Sequence, residues 1–123
     1  MDVKQAEKIE KELRNNTEIL DVSFAQFNLK VLSIAYSTCL DDTGIIAWIE
    51  LSSIVGSKLQ LPKSNSSTSI NVKINFYERD NLLCSTSRLL IANNFNRYNT
   101  IALNTSFHGL VSRATTARIF ATL

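Results

Sequence analysis

The chain has few of the residues that build phosphate-binding loops, metal sites and catalytic centres. Its 123 residues include 3 glycines, 1 proline, 2 cysteines and 1 histidine. So few glycines exclude a glycine-rich phosphate loop. One histidine and two distant cysteines fall short of the three or four ligands that zinc takes. We therefore expect no metal and no cofactor, with Asn, Ser and Thr at the turns.

The single histidine, His108, precedes Gly109 at a predicted turn. Nucleophilic catalysis of the serine or cysteine type needs a base beside a nucleophile and an acid that orients the base. The sequence places neither partner near His108. The acidic pairs, Asp41 with Asp42 and Glu78 with Asp80, stand in predicted turns, where they suit capping of backbone N–H groups. We therefore predict that the protein is not an enzyme.

Long hydrophobic runs are also absent. No apolar stretch approaches the ~20 residues that span a bilayer, and the N-terminal sequence MDVKQAEKIEKELRNN lacks the apolar core of a signal peptide. We therefore expect a cytoplasmic protein with no membrane span. Cys39 and Cys84 are predicted to be two free thiols, and a single disulfide between two sheets is the alternative.

Charge is spread unevenly along the chain. The net charge is +2, yet residues 51–123 carry 8 basic and only 2 acidic groups. Such an imbalance indicates either a solvated sheet face or a surface for an acidic partner. Arginine suits bidentate contacts with phosphate. The candidate anion-binding residues are Arg79, Arg88, Arg97, Arg113 and Arg118.

An amphipathic helix is predicted over residues 2–16, with Asp2 as its N-cap. Its apolar residues follow a three-to-four spacing that forms one narrow stripe: Val3, Ala6, Ile9 and Leu13. The stripe is too short for a coiled coil of its own. Two roles stay open, since the helix either docks on the rest of the fold or pairs with a partner or a second copy.

The following tract, residues 19–36, is rich in β-branched and aromatic residues and predicts strands. Apolar residues alternate from Leu20 to Phe24 and resume on the other parity at Phe27, which predicts a β-bulge near Ala25. Five later segments are also predicted to be strands, and a short extended piece is predicted at Lys58–Leu61. The five are Ile45–Ser52, Ile70–Tyr77, Leu83–Ala92, Thr100–Phe107 and Thr115–Leu123.

These segments predict a mainly β fold, an antiparallel β-sandwich of about seven or eight strands with one N-terminal helix. We divide the chain into a helix over 1–18 and a sandwich domain over 19–123. Ile45–Ser52 is apolar on both faces and is predicted to be a central strand. Its Trp48 is predicted to anchor the core, with stacking on a ligand as the alternative.

The clearest pattern is a predicted hairpin, in which Ile70, Val72, Ile74 and Phe76 alternate with polar residues before a turn. The run Ile74 to Glu78 resembles the signature of FxLYD-type bacterial immunoglobulin-like domains, an aromatic–x–Leu–Tyr–Asp run on a strand before a hairpin. Ile74, Phe76, Tyr77 and Glu78 stand at the aromatic, Leu, Tyr and Asp positions.

In that family the turn usually contains a glycine, and Asn81 stands there in this chain. Asn tolerates the left-handed conformation, so the turn is retained. The resemblance covers about residues 45–107. It implies an immunoglobulin- or fibronectin-like sandwich that serves as an accessory or adhesive module, and it adds no catalytic residue.

The sequence favours a non-enzymatic protein-interaction or assembly module. Binding to a partner or to a second copy would use the N-terminal helix or a sheet edge. An alternative is a binder of an acidic ligand or nucleic acid through the five arginines. A third possibility is a small-ligand carrier with a pocket lined by Trp48, Tyr36 or Tyr98.

Overall fold

The computed structural model describes residues 1–53, 69–91, 98–106, 109 and 111–123. The helices in this part of the chain are α1 (Val3–Asn15), α2 (Asp21–Ala25) and a short 3-10 helix (Val111–Arg113). The strands are β1 (Thr17–Ile19), β2 (Leu29–Thr38), β3 (Gly44–Ser53), β4 (Ser69–Glu78), β5 (Asn81–Ile91), β6 (Tyr98–Ser106) and β7 (Thr116–Thr122).

The strands form two sheets, which confirms the predicted two-sheet, mainly β architecture with an N-terminal helix. A four-stranded sheet has the order β1-β7-β4-β5, and a three-stranded sheet has the order β2-β3-β6. The pairing of β1 with β7 is parallel, and the other pairings are antiparallel. The predicted central strand is β3, which lies between β2 and β6.

Alternation along β4 shows why this strand builds the core. Ile70, Val72, Ile74 and Phe76 are fully buried, while the polar residues between them face outwards and stay partly exposed. The ring of Phe76 meets the edge of the Tyr36 ring from β2, with 5.9 Å between centroids. The core therefore lies between the two sheets.

Helix α1 docks on the sandwich, which was one of its two open roles. Asp2 caps the helix as predicted, because its carboxylate accepts from the Gln5 backbone N–H while the Gln5 side chain accepts from the Asp2 N–H. Leu13 is fully buried. The Glu10 carboxylate accepts from the backbone N–H and the hydroxyl of Thr38, at 3.1 and 2.7 Å. The helix thus binds the edge of β2.

The strand predicted from Leu20 to Phe24 is wrong, because this segment contains the short helix α2. Phe24 and Phe27 both reach the core, and a spacing of three brings two side chains to one side on a helical turn but not on a strand. Ser23 fixes the turn, since its hydroxyl donates to the Leu20 carbonyl and accepts from the Ala121 N–H. Val22 is left 84% exposed.

The predicted bulge near Ala25 is also misplaced. The register of β2 against β3 shifts between Val31 and Ser33, well inside β2. Val31 is buried before the shift, and Tyr36 is buried after it. The change of parity between Phe24 and Phe27 is thus produced by the helical turn of α2, and the β-bulge is a separate feature inside β2.

The predicted hairpin is formed by β4 and β5. Glu78 pairs with Asn81, so Arg79 and Asp80 make a two-residue turn. The left-handed residue is Arg79, with φ 55°, so the expectation that Asn81 takes this role is wrong. A register shift after Phe76 leaves one extra residue in β5 opposite the end of β4.

Some expectations fall outside the described residues, namely Lys58–Leu61, Phe107 and His108. The other late strands are observed as β5, β6 and β7, with small shifts at their ends. Within the described ranges, no helix combines the length and apolar character needed to cross a membrane.

Candidate functional site

Three of the predicted arginines lie together where β4 turns into β5. Arg79 is in the turn, Arg113 ends the 3-10 helix and pairs with Glu78, and Arg118 is in β7. Arg79 and Arg118 line the same cavity. Arg97 lies outside the described residues.

The ion pair of Arg113 with Glu78 lies on the surface beside this turn. The Arg113 Nη2 atom lies 2.6 Å from Glu78 Oε1, and Nε lies 3.2 Å from both carboxylate oxygens. This hydrogen bonding from Arg113 holds the pKa of Glu78 below its usual value, and Glu78 raises the pKa of Arg113. Arg113 is therefore already neutralised by its own partner.

Arg118 is held from two sides on the outer face of the four-stranded sheet. Glu18 of β1 lies directly opposite it, and Glu18 Oε2 accepts from Arg118 Nε and Nη2 at 3.2 and 3.1 Å. The guanidinium carbon lies 5.9 Å from the centre of the Tyr77 ring, a cation–π distance. These contacts fix the Arg118 guanidinium at the margin of a cavity.

That cavity, here called the Arg79 cavity, has a volume of about 410 Å³. Its side chains come from the end of α1, from β1, from the β4–β5 turn and from β7. The lining residues are Asn16, Glu18, Tyr77, Arg79, Asp80, Thr116, Ala117 and Arg118. Its volume is in the range of small-ligand sites.

Arg88 does not belong to this group of arginines. It lies opposite the buried Val72 in the β4–β5 pairing, so it points toward the space between the sheets. Its Nη1 atom donates to the Ala102 carbonyl of β6 at 3.3 Å. The four candidate arginines that the structure describes therefore do not form one surface, and Arg88 has a structural role.

The outer face of the three-stranded sheet is a second candidate. We call it the Trp48 face and define it by nine outward side chains. These are Ser33, Ala35 and Ser37 of β2, Ile46, Trp48 and Glu50 of β3, and Thr100, Ala102 and Asn104 of β6. Trp48 lies at its centre, directly between Ala35 and Ala102.

The prediction that Trp48 anchors the core is wrong. Its side chain is 42% exposed, and its indole Nε1 donates to Ser37 Oγ at 3.1 Å. Ile45, Ala47, Ile49 and Leu51 fill the core from the other face of β3. The sequence did carry a signal, because Trp48 shares its parity with two polar residues, Glu50 and Ser52.

Among the described residues, the three aromatic side chains named for a small-ligand pocket do not meet in one pocket between the sheets. Tyr36 faces the core, whereas Trp48 and Tyr98 face outwards from the three-stranded sheet. Burial raises the pKa of Tyr36 to about 12. The Tyr36 hydroxyl lies 2.7 Å from Thr17 Oγ1, which itself donates to the Leu13 carbonyl, so Tyr36 is the donor to Thr17. Tyr36 is thus a structural residue that ties β2 to the end of α1.

The cysteines are free thiols, as predicted. Burial raises the pKa of Cys84 to about 11, so this thiol stays protonated near neutral pH. Across the ranges that the structure describes, no three His, Cys, Asp or Glu side chains are grouped closely enough to hold a metal ion.

No model of a known protein family matches the chain, and no curated protein matches it in sequence. The Trp48 face and the Arg79 cavity are therefore the features from which a function can be proposed.

Proposed function

We propose that the protein is a non-enzymatic protein-interaction module whose contact surface is the Trp48 face. The observation that carries this proposal is the exposure of Trp48, 42% of whose surface is open to solvent at the centre of a sheet face. Tryptophan is enriched among the residues that dominate binding energy, above all near the centre of an interface. Ala35 and Ala102 leave space on either side of the indole.

The composition of the Trp48 face supports the same proposal. Protein interfaces combine an apolar centre with a polar rim. Here Ile46 and the two alanines adjoin Trp48, and hydroxyl, amide and carboxylate groups surround them. Of the nine residues only Glu50 is charged, and it accepts from the Ser33 hydroxyl at 3.1 Å.

The helix, one end of the β2 edge and one carbonyl of the β6 edge are engaged within the molecule, which supports the Trp48 face over the helix or sheet edge expected from the sequence. The apolar stripe of α1 is buried apart from Val3. Glu10 binds the edge of β2 at Thr38. Strand β1 offers only three residues, and Arg88 occupies a carbonyl of β6. Covered, short and charged edges resist strand addition.

The size of the Trp48 face favours a transient partner. The Trp48 face spans five residues on each of three strands, which at about 4.8 Å between strands and 3.4 Å per residue gives roughly 250 Å². A stable complex buries about 800 Å² on each partner. A partner bound through this face alone would form a weak complex, in keeping with an accessory or signalling role.

The resemblance of residues 74–78 to FxLYD-type domains supports an accessory or adhesive role in the same way. We propose on that basis that the sandwich is of the immunoglobulin-like class. The free thiols of Cys39 and Cys84 are in keeping with a reducing compartment, and we propose that the assemblies form in the cytoplasm. A second copy of the chain is one candidate partner.

A photocrosslinking amino acid at Ala35 tests the proposal in cells that express the chain. Ala35 is exposed and adjoins Trp48, so we expect a discrete crosslinked species from this position. The matched control is the same amino acid at Ser87, which is exposed on the outer face of the other sheet. Crosslinking of equal yield and pattern at Ser87 would contradict the proposal.

Trp48→Ala provides the second arm of this test. We expect it to remove the Ala35 crosslink while circular dichroism and thermal unfolding show an intact fold. Light scattering of the purified wild-type protein then distinguishes a second copy, seen as a concentration-dependent dimer, from a different partner. A crosslink that persists in the folded Trp48→Ala protein would exclude the indole as the anchor.

A further inference from the structure

We propose that the Arg79 cavity is a binding site for a single small oxyanion, a carboxylate or a phosphate group. The site is independent of the Trp48 face, because it lies on the outer face of the other sheet. Three residues that carry hydrogen-bond donors line it from separate elements: Arg79 in the β4–β5 turn, Arg118 in β7 and Tyr77 in β4. Guanidinium groups are the preferred donors for carboxylate and phosphate.

Arg118 is pre-positioned as one donor. Glu18 takes its Nε and Nη2 protons with a single oxygen, Oε2, and the Tyr77 ring supports the guanidinium at 5.9 Å. The two protons on Nη1 are not used by this pair. An anion that binds Nη1 therefore gains a donor whose orientation is already fixed, so little conformational entropy is lost on binding.

Arg79 supplies the second donor from the turn. Its backbone N–H donates to Thr115 Oγ1 at 3.0 Å, and its carbonyl accepts from the Thr116 hydroxyl at 3.5 Å. The start of β7 thus holds the turn in place. Within the described part of the chain the Arg79 side chain makes no ion pair, although its charge lowers the pKa of Glu78.

The Tyr77 hydroxyl is the third donor. Its oxygen accepts from Asn75 Nδ2 at 3.1 Å, so the hydroxyl proton remains available for an acceptor. Because Tyr77 also supports Arg118, a ligand that meets the guanidinium lies close to the phenol. The cavity, about 410 Å³ in volume, has room for a small molecule that carries the oxyanion.

The acidic side chains in and beside the cavity limit how much negative charge a ligand can carry. Glu18 and Asp80 line the cavity beside the two arginines, and Glu78 lies next to Arg79 in the chain. Like charges so close repel a polyanion. Each carboxylate weakens the positive electrostatic potential that would attract a nucleic acid strand. A single oxyanion, in contrast, needs only the space between Arg79 and Arg118. The site therefore favours a small monoanionic group over nucleic acid.

Titration with inorganic phosphate, acetate and a short single-stranded oligonucleotide tests the proposal at constant ionic strength. The readout is the side-chain Nε–Hε signals of the arginines in two-dimensional NMR. We expect saturable shifts of Arg79 and Arg118 with phosphate or acetate, and no comparable shifts of Arg88 and Arg113. Whichever of phosphate and acetate binds with the higher affinity identifies the class of oxyanion that the site prefers.

Arg79→Gln is the decisive variant, with Lys73→Gln as its matched control. Lys73 lies on the same outer face but not in the cavity, and both changes remove one positive charge. We expect Arg79→Gln to weaken binding about tenfold, as for the loss of a charge-assisted hydrogen bond, and Lys73→Gln to change it less than about twofold. Glu18→Gln removes a negative charge from the cavity lining but keeps a side-chain oxygen that can accept from Arg118, so it should strengthen binding.

Three results would overturn the site. One is the absence of saturable shifts at any tested concentration in a protein whose spectrum shows an intact fold. Another is an equal loss of affinity in Arg79→Gln and Lys73→Gln. The third is tighter binding of the oligonucleotide with a steep dependence on salt, which would indicate a diffuse nucleic-acid surface instead.

Discussion

The Arg88 guanidinium donates from Nη1 to the Ala102 carbonyl at 3.3 Å and so joins the margin of one sheet to the margin of the other. Arg88 lies on the inner face of β5, opposite Val72, at the side of the sandwich away from α1. An inward-pointing charge on an edge strand is one of the devices by which β proteins prevent edge-to-edge pairing. Arg88, one of the arginines predicted to bind an anion, is therefore placed where it can protect an edge.

Arg88→Ala is expected to promote association through the exposed margin of β5 and β6. The variant removes the donor to Ala102 and the inward charge together, so the edge of β6 regains an open acceptor. We expect a loss of roughly 0.5–1.5 kcal/mol in the free energy of unfolding and a concentration-dependent rise in mass by light scattering. Lys73→Ala, on an outer face, is the control. A variant that stays monomeric and equally stable would remove the protective role.

Tyr36 is expected to make the fold sensitive to high pH. Burial raises its pKa from the ordinary value of 10.0 to about 12, so between these values the folded state holds a proton that the unfolded state has lost. Its stabilising contribution is therefore complete below pH 10 and is lost as the pH rises toward 12. The loss amounts to roughly 2 to 3 kcal/mol at about 1.4 kcal/mol per pH unit.

Urea unfolding of the wild type and of Tyr36→Phe from pH 8 to 11.5 measures this contribution. The difference in unfolding free energy between the two proteins should shrink and change sign as the pH rises. At neutral pH Tyr36→Phe should cost about 1 kcal/mol, because the hydrogen bond to Thr17 is lost. Tyr77→Phe, on an outer face, controls for the loss of a phenol. A constant difference across the range would contradict the assignment.

Sequence patterns predicted the elements whose apolar residues follow one period without interruption. Strand β4 is the clearest case, because each second residue from Ile70 to Phe76 is apolar and each is buried. The apolar stripe of α1 and the N-cap at Asp2 were predicted correctly for the same reason. In these elements the local pattern and the tertiary burial agree.

Other features depended on contacts that no local pattern contains. The helical turn at α2 is fixed by Ser23, whose partner Ala121 is far away in the chain. Whether the Trp48 side chain points inwards or outwards depends on which face of β3 packs against the other sheet. In the sequence both faces of β3 appear apolar, because Ile46 lies on the same face as Trp48. The grouping of Arg79 with Arg118, apart from Arg88, follows from the register of three strands, which sequence parity alone does not give.

Leu13→Ala is expected to unfold the sandwich along with the helix. Leu13 is fully buried between α1 and the sheets, so its truncation should cost about 2–5 kcal/mol. Val3→Ala, at a helix position that is 57% exposed, should change stability by less than about 0.5 kcal/mol. Denaturant unfolding followed by both Trp48 fluorescence and circular dichroism measures the effect. Unchanged unfolding of the strands would instead favour the division at residue 18 into separate units.

Substitution of Gly44 and of Gly109 by alanine is expected to destabilise the fold for two different reasons. At Gly44 an added Cβ would lie 2.2 Å from the Thr105 carbonyl oxygen, closer than any contact allows. Because Gly44 pairs with Ser106 at the start of β3, the clash falls on the backbone of β6 and no side chain can rotate away. We expect Gly44→Ala to cost about 3 kcal/mol or more, at the upper end of overpacking.

Among the described residues, no atom lies within 4 Å of a Cβ added at Gly109, but the φ of Gly109 is +72°. Gly109→Ala should therefore cost only the left-handed penalty of about 1–2 kcal/mol. Thermal and urea unfolding of the two variants measure the difference, and amide exchange should locate the damage of Gly44→Ala in β3 and β6. If both variants lost the same small amount of stability with protected β6 amides, the close approach of Gly44 to Thr105 would not be a constraint on the fold.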